Sequence, residues 1–319
     1  MAIYLPGSHR LKRSYPLMEA LFVGQTYIDV TFLADRIPTG DEKDVARDYA
    51  VSFGGNAVTA AFCCARLGIA PDLLTSVADD WLGRMFLDMA ARYQVCIHQR
   101  KVRRSSLSFV MPKGDKRAIV RCRDDEYLHP FPPLNLKGCR ALHLDGHQAD
   151  AALHYARECR KSGILTSLDG GGVRVNTMEL LEFIDIAVVS ERFCDQLRLS
   201  SLAALDLLKK KGCKIGGVTM GERGMLWYDE TGKVTTMPAL YVPPEEIVVT
   251  NGAGDVYHGS YIYSYLMNPE ASWQAHFRFA RAASAYAIRF LGNEARLPRP
   301  EDVVDIEQRY GLATPVTAE

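Results

Sequence analysis

The chain alternates short apolar runs with helical stretches along most of its 319 residues, and this rhythm constrains the fold more strongly than any other feature. Near-continuous apolar runs are typical of strands that are buried on both faces of a parallel sheet. Their alternation with helices predicts a doubly wound α/β layer with right-handed crossovers. The apolar runs lie at 21–24, 73–77, 141–146, 164–169, 186–190 and 215–219, and the helical stretches at 81–93, 151–162 and 202–211.

Two long segments depart from this rhythm. Residues 29–53 are polar with a turn at 38–41, and residues 96–123 contain β-like stretches at 105–111 and 117–122 around a turn at 112–115. Because both segments leave the α/β layer and return to it, we expect a small sheet over the carboxyl ends of the strands, where open α/β sheets bind ligands. We predict one α/β domain at 17–311, with a lid from about 29–53 and 96–125, after an N-terminal extension at 1–16.

The composition excludes several classes of protein. Lys and Arg number 38 and Asp and Glu number 38, so the formal net charge is zero and no nucleic-acid partner is expected. No apolar run approaches the roughly 18 residues of a membrane span, and the basic N-terminus lacks the apolar core of a secretory signal. The eight cysteines form no C-x-x-C pair, which indicates reduced thiols without a metal site. We therefore expect a cytoplasmic protein with no membrane partner.

The strongest motif runs from Thr250 to Gly259 and contains Gly252, Ala253, Gly254 and Asp255. It lies between an apolar, strand-like run at 247–249 and a helix predicted over 256–267. Small residues allow a close approach of backbone to ligand, and the free N–H groups and dipole of the helix N-terminus favour an anion there. Asp255 would then be a carboxylate suited to accept a proton beside that anion. The alternative is a glycine-rich turn with Asp255 as helix N-cap.

Two further motifs contain glycine at the start of a turn or helix. Gly54, Gly55 and Asn56 open a helix that runs to Leu67, which would bring backbone and an amide side chain near a ligand. Thr219, Gly221 and Gly224 follow a predicted strand and precede another, an arrangement able to hold a nucleotide phosphate. In each case a plain tight turn explains the local pattern as well. The Walker P-loop, G-x-G-x-x-G, H-E-x-x-H and G-x-S-x-G motifs are absent from the sequence.

In their order and spacing these motifs resemble those of the ribokinase-like (PfkB) carbohydrate kinases, over roughly residues 21–300. The resemblance also includes Gly24 and Asp29 after the first strand and the segment 65–68 at the end of the glycine-opened helix. Within the family, the segments 43–47 and 255–259 are closest in pattern to the ketohexokinase and sulfofructose-kinase branch. The implied fold is a Rossmann-like, three-layer, doubly wound sheet with a small β-sheet lid.

The resemblance implies an ATP-dependent sugar kinase that uses Mg²⁺ and pairs as a homodimer through its lid. Asp255 matches the general base, and Gly252, Ala253 and Gly254 match the anion hole for the transferred phosphoryl group. The positions that match sugar contacts are Asp29, Gly54, Gly55, Asn56 and Asp145, and those that match the nucleotide side are Thr219, Gly221 and Gly224. His147 follows Asp145 closely, so it is either a substrate contact or a histidine of a surface loop.

Three positions depart from the family pattern. Val249 stands where the family has an acidic residue near its monovalent-cation site, which leaves a potassium requirement open. The family's Asn-x-x-Glu element is replaced by a segment in which Glu191 is the carboxylate, and we assign Glu191 to magnesium through water. Thr59 replaces a second asparagine of the sugar-binding helix, so the identity of the sugar stays open. Two alternatives remain, a nucleoside kinase of the same fold and a non-catalytic sensor of sugar or nucleotide.

Overall fold

The computed structural model describes residues 17–34, 36, 38–113 and 116–311, so the predicted extension at 1–16 and the centre of the turn at 112–115 lie outside the described residues. In chain order the strands are β1 (Ala20–Gly24), β2 (Tyr27–Leu33), β3 (Asp48–Gly54), β4 (Asp72–Ala78), β5 (Cys96–Val102), β6 (Leu107–Lys113), β7 (Lys116–Cys122), β8 (Ala141–Leu144), β9 (Leu165–Gly170), β10 (Ile186–Ser190), β11 (Ile215–Thr219), β12 (Met225–Tyr228) and β13 (Val234–Met237). The helices are α1 (Asn56–Leu67), α2 (Trp81–Arg92), α3 (Ala149–Lys161), α4 (Thr177–Leu180), α5 (Glu191–Leu197), α6 (Ser201–Lys210), α7 (Ala253–Met267), α8 (Trp273–Ala287) and α9 (Pro300–Tyr310).

A large sheet of nine strands forms the centre of the molecule, in the order β13-β12-β11-β10-β9-β8-β1-β4-β5. Pairing from β5 to β11 is parallel, and β12 is antiparallel to both of its neighbours. Along the chain, β4 pairs with one side of β1 and β5 follows at the edge beyond β4. The next strand of the large sheet, β8, pairs with the other side of β1. Strand order therefore reverses between β1 and β8, which is the position where open α/β sheets bind their ligands.

Helices cover both faces of this sheet and divide the apolar interior in two. One cluster of buried side chains lies under α1, α2, α7, α8 and α9 and includes Phe62, Phe86 and Phe277. The other lies under α3, α5 and α6 and includes Tyr155 and Phe193. The predicted doubly wound α/β layer is confirmed, and it holds the carboxyl ends of the parallel strands at one edge.

A second sheet of four strands, in the order β3-β2-β6-β7, forms the lid. The prediction that the second segment of the lid begins near residue 96 is wrong, because Cys96–Val102 forms β5 and pairs in parallel with β4 in the large sheet. As an edge strand, β5 is only partly buried, with Arg100 and Val102 as its buried residues, so its sequence lacks the apolar run that marks the central strands.

The apolar run at 247–249 is not a strand. Ile247 and Val248 are partly exposed, and the backbone N–H groups of Val248 and Val249 donate to the Ile288 carbonyl at the end of α8. The helix that follows begins at Ala253, three residues before the predicted start, so Asp255 lies in its first turn. Within the described residues, no helix is both long and apolar enough to cross a membrane.

Candidate active site

The reversal of strand order places Gly24, at the end of β1, against Asp145, which follows β8. A Cβ atom on Gly24 would clash with the Asp145 carboxylate, so the two strands approach this closely because residue 24 has no side chain. The buried Asp145 carboxylate accepts hydrogen bonds from the backbone N–H groups of Ala57, at 3.3 Å, and His147, at 2.9 Å. Asp145 therefore joins the sheet edge to the start of α1.

The start of α1 places an amide side chain at the same edge. Gly55 caps the helix with a φ of 107°, and a Cβ there would clash with the Gln25 carbonyl, so the turn requires glycine. Asn56 donates from its amide nitrogen to Asp169 Oδ2 at 3.0 Å. Asp169, near the end of β9, also accepts from the backbone N–H of Gly171 at 2.7 Å through its other oxygen.

Asp29 reaches the site from the lid. A Cβ on Gly54 of β3, which pairs with Tyr27 of β2, would clash with the Asp29 carboxylate. The Asn293 amide donates to Asp29 Oδ2 at 3.0 Å and to the Phe53 carbonyl at 2.5 Å, which ties the lid to the segment between α8 and α9. Burial raises the pKa of Asp29, whereas the Asn293 hydrogen bond and the charge of Arg121 lower it.

The N-terminus of α7 is open toward this group. Gly252 is the N-cap with a φ of 82°, and no side chain caps the helix. A Cβ on Gly254 would meet no described atom within 4 Å, so there is free space over the first turn. Within the part of the chain that the structure describes, nothing donates a hydrogen bond to the Asp255 carboxylate. The alternative in which Asp255 is the N-cap is therefore wrong.

Charges around Asp255 determine how it titrates. Burial raises its pKa well above the usual carboxyl range, and the negative charge of Asp169 is the next largest cause, ahead of smaller ones from Asp29 and Asp145. The opposing charge is Arg296, which is 2% exposed and whose Nη1 has no hydrogen-bond partner among the described residues. Burial lowers the pKa of Arg296 to about 10, while Asp255 and Asp29 raise it. A raised carboxyl pKa is typical of a general base prepared for use near neutral pH.

A buried chain of hydrogen bonds lies next to Asp169 and joins β8, β9 and α7. His143 Nδ1 is 3.0 Å from the Ser167 hydroxyl, which is 2.6 Å from the Tyr261 hydroxyl, and that hydroxyl is 2.7 Å from His258 Nδ1. Burial lowers the pKa of both His143 and His258 to about 3, so both rings are neutral at physiological pH. His258 Nε2 lies 3.6 Å from Asp169 Oδ1. The network therefore packs against Asp169 through His258 and places no positive charge beside it.

The predicted nucleotide residues form a separate group farther along the same edge. Thr219 ends β11 and donates from its hydroxyl to the Val189 carbonyl at 3.3 Å. Gly221 and Gly224 lie in a 3₁₀ turn with φ values of 59° and 82°, and only Gly224 would meet backbone atoms if it carried a Cβ. Glu191 begins α5 and forms an ion pair with Arg223 of that turn. Thr219, Gly221, Gly224 and Glu191 therefore lie in neighbouring elements that contact one another. None of these contacts includes Asp255.

Sequence reasoning missed three residues of the site. Asn293 and Arg296 follow α8 in a segment without a glycine-rich motif, and only Gly292, with a φ of 82°, marks it. Asp169 was predicted only as the last residue of the apolar run at 164–169. Its position at the carboxyl end of a buried strand was the available signal, since neighbouring strands end at the same edge.

Comparisons with known proteins agree with this geometry. A family model described as "pfkB family carbohydrate kinase" matches residues 18–299. The ribokinase of Lactococcus lactis is 23% identical, over 88% of this chain and 94% of that protein. The nucleoside kinase of Methanothermobacter thermautotrophicus is also 23% identical, over 93% of this chain and 98% of that protein. The structure of Arabidopsis thaliana ribokinase complexed with ribose and ATP superposes with a TM-score of 0.76, at 20% identity, over 91% of this chain and 99% of that one.

The family match covers nearly the whole described chain, and the solved structure shares its fold throughout. The resemblance expected from the glycine motifs is confirmed at the level of the family, while placement in the ketohexokinase and sulfofructose-kinase branch stays a prediction. The chain belongs to the pfkB family of carbohydrate kinases and is a phosphotransferase with an alcohol group as acceptor.

Proposed function

We propose that this kinase transfers the γ-phosphoryl group of ATP to a hydroxyl of a small sugar or sugar derivative, with Asp255 as the general base. One observation carries the proposal. The Asp255 carboxylate has no hydrogen-bond partner among the described residues, and it lies in the first turn of a helix whose N-terminus faces free space at Gly254. A carboxylate with a raised pKa beside an open N-terminus suits proton removal next to a developing anion.

The acceptor sugar binds between the lid and the sheet edge. Asp29, Asp145 and Asn56 offer carboxylate and amide groups to sugar hydroxyls, and Gly54 and Gly55 allow the backbone to come close. The hydrogen bonds from Asn293 to Asp29 and from Asn56 to Asp169 hold these side chains in place before the substrate arrives. Fixed positions lower the entropic cost of aligning the reacting hydroxyl with Asp255.

The transferred phosphoryl group lies over the start of α7. Gly252 and Gly254 present backbone N–H groups there, and Ala253, whose N–H donates to the Thr250 carbonyl at 3.4 Å, lies between them; the helix dipole favours the negative charge. Arg296 Nη1 is unpartnered and lies so close to Gly252 that a Cβ on that glycine would clash with it. We assign to Arg296 the stabilisation of charge on the phosphoryl oxygens, because phosphoryl transfer depends on positioning and electrostatics.

The nucleotide lies toward Thr219, Gly221 and Gly224. When bound with ATP, a magnesium ion neutralises charge on the β- and γ-phosphates. Glu191 supplies a carboxylate oxygen, which is the kind of ligand that magnesium prefers. Because Glu191 is already paired with Arg223, these residues fit an ion that keeps several of its waters. Glu191 would therefore reach the ion through water.

A nucleoside acceptor is the second candidate function. The archaeal nucleoside kinase is as similar in sequence to this chain as the bacterial ribokinase is, and it matches over a slightly larger share. Phosphorylation of a sugar and of a nucleoside would need the same base and the same anion hole. The two candidate functions therefore differ only in the acceptor molecule. A non-catalytic sensor is disfavoured, because a sensor has no use for a half-buried carboxylate that lacks a hydrogen-bond partner among the described residues in the first turn of α7.

An acceptor panel tests the proposal. The protein is incubated with ATP, Mg²⁺ and, in turn, ketoses, aldoses, sulfo-sugars and nucleosides, and ADP release is measured with Asp255→Asn as control. We expect ADP release with a sugar, abolished or strongly reduced in the variant. Release with nucleosides alone would establish the second candidate function, and binding without ADP release for every acceptor would establish the sensor.

A further inference from the structure

Two arginines face the acceptor side of the cleft without a carboxylate partner. Arg121 lies in β7 of the lid, and Arg174 lies in the loop that follows β9 of the large sheet. Across the residues that the structure describes, neither guanidinium has a carboxylate oxygen within 4.0 Å. Arg123, two residues after Arg121, differs because it pairs with Asp125 at 3.0 Å.

Strand register shows which way Arg121 points. Ser52, Asp29, Ser108 and Arg121 are neighbours in a single row across β3, β2, β6 and β7, so they share one face of the lid. Ser52 and Ser108 are buried, and Asp29 contacts Asn293 of the α/β layer, so this face is the inner one. The Arg121 guanidinium lies 5.2 Å from the centre of the buried Tyr27 ring, on the same face.

Arg174 approaches this part of the cleft from the large sheet, opposite the lid. Its Nε donates to the Asp145 carbonyl at 2.7 Å, and its Cδ would lie 3.0 Å from a Cβ on Gly146. That single bond orients the side chain and leaves the two terminal nitrogens of the guanidinium without a partner among the described residues.

His147 lies next to Tyr27 and Gly146, the residues that the two arginines contact. Its ring centre is 6.5 Å from that of Tyr27, and it follows Gly146, on which Arg174 rests. Burial lowers the pKa of His147 to about 4, with further lowering by Arg174, Arg123 and Arg121 against an opposing effect of Asp145. The ring is neutral at physiological pH, so it adds an N–H donor. The negative charge of Asp145 is already bonded to two backbone N–H groups.

We propose that the acceptor is an anionic sugar derivative whose phosphate, sulfonate or carboxylate group lies between Arg121, Arg174 and His147. This inference rests on the proposed function and names the class of its substrate. The reacting hydroxyl then lies toward Asp255 and the anionic group at the far end of the cleft. Guanidinium groups bind such oxyanions by charge-assisted, often bidentate hydrogen bonds. Because one arginine comes from the lid and the other from the sheet, the anion also draws the lid closed.

Binding of matched sugar pairs tests the proposal. Titration calorimetry, in the presence of ADP, compares fructose with fructose 6-phosphate and 6-deoxy-6-sulfofructose, ribose with ribose 1-phosphate, and glucose with gluconate. We expect at least one anionic sugar to bind more than tenfold tighter than its neutral partner. Arg121→Gln and Arg174→Gln should each weaken that sugar by roughly 10- to 100-fold, the range for a hydrogen bond to a charged group, and leave the neutral sugar unchanged.

Arg84→Gln is the matched control, since Arg84 is an exposed arginine on α2 whose guanidinium contacts Asp79 and Trp81, and its loss changes net charge equally. Equal binding of neutral and anionic partners in every pair would overturn the inference, as would an equal loss of neutral-sugar affinity in the two cleft variants. ADP release is followed in parallel. If ADP is released with a neutral sugar and this release is lost in Asp255→Asn, the proposed function stands. The inference that the acceptor is anionic is then wrong.

Discussion

At the scale of single residues, the N-terminus of α7 combines free space with two charged groups that are not fully hydrogen-bonded. The Asp255 carboxylate and Arg296 Nη1 lack hydrogen-bond partners among the described residues, and Gly254 leaves free space between the helix start and the cleft. Folding alone gains nothing from this arrangement, because unpaired buried polar groups cost free energy. Substitutions here should therefore separate activity from stability.

Gly254→Ala provides such a separation. A Cβ at this position meets no described atom and the backbone is not left-handed, so the variant should fold and gain up to about 1 kcal/mol of helix stability. The methyl group would occupy the space over the anion hole, and we expect turnover to fall by roughly 10²- to 10³-fold. Thermal unfolding and ADP release measure the two effects.

Gly55→Ala is the matched control for that variant. Its φ is 107° and a Cβ would clash with the Gln25 carbonyl, so this variant should lose stability together with activity. A Gly254→Ala enzyme with wild-type turnover would contradict the anion hole at α7.

Asp169→Asn should change the pH dependence of the reaction. After burial, the charge of Asp169 is the largest cause of the raised pKa of Asp255. Removing it lowers that pKa, so the base stays ionised to lower pH and the acid limb of the kcat/KM profile shifts downward. The exposed carboxylate of Asp195 on α5 gives the control, Asp195→Asn. An acid limb that does not move, or moves upward, would exclude coupling between the two carboxylates.

At the scale of elements, the lid has two unlike faces. The inner face carries polar side chains, whereas the outer face exposes Tyr49 by 66%, Val51 by 38%, Leu107 by 37% and Val120 by 69%. A contiguous apolar face of this kind on a sheet is a typical protein interaction surface. It supports the prediction of a homodimer that pairs through the lids.

Val120→Asp should therefore shift the protein from dimer to monomer in sedimentation velocity, because it replaces the most exposed apolar side chain of the outer face by a charge. Val304→Asp is the control, since Val304 is a similarly exposed valine on α9. Sedimentation of the unaltered protein as a monomer at working concentration would contradict the prediction.

The segment before α7 carries a prediction about monovalent cations. Val249 is buried and apolar where the family has a carboxylate, so the segment has lost one oxygen ligand. We expect turnover to change by no more than a few-fold when potassium replaces a bulky organic cation. A large increase in ADP release on adding potassium would show that backbone carbonyls suffice to bind it.

At the scale of the whole molecule, the sequence predicted the parts whose signal is local. Buried parallel strands appear as apolar runs, so the α/β layer was predicted correctly. Glycine-opened helices appear as motifs, so the residues from Gly54 to Asn56 and from Gly252 to Asp255 could be singled out as site candidates. Asn293 and Arg296 were missed because they enter the site through tertiary packing of an irregular segment. The lid boundary was misplaced because the edge strand β5 is only partly buried, and its sequence lacks the apolar run that marks the central strands.

Asp255→Asn tests the central claim most directly, by turnover, substrate affinity and thermal stability measured together. The folded-state pKa of Asp255 is raised, so its contribution to stability is present below the unfolded-state pKa and lost as pH rises through the folded-state value. The neutral amide should therefore make the fold more stable than the wild type at neutral pH. Turnover should fall by about 10²- to 10⁴-fold with ATP and sugar affinity little changed, because the lost interaction belongs to the transition state. Near-wild-type turnover on the true acceptor in a folded variant would contradict Asp255 as the base.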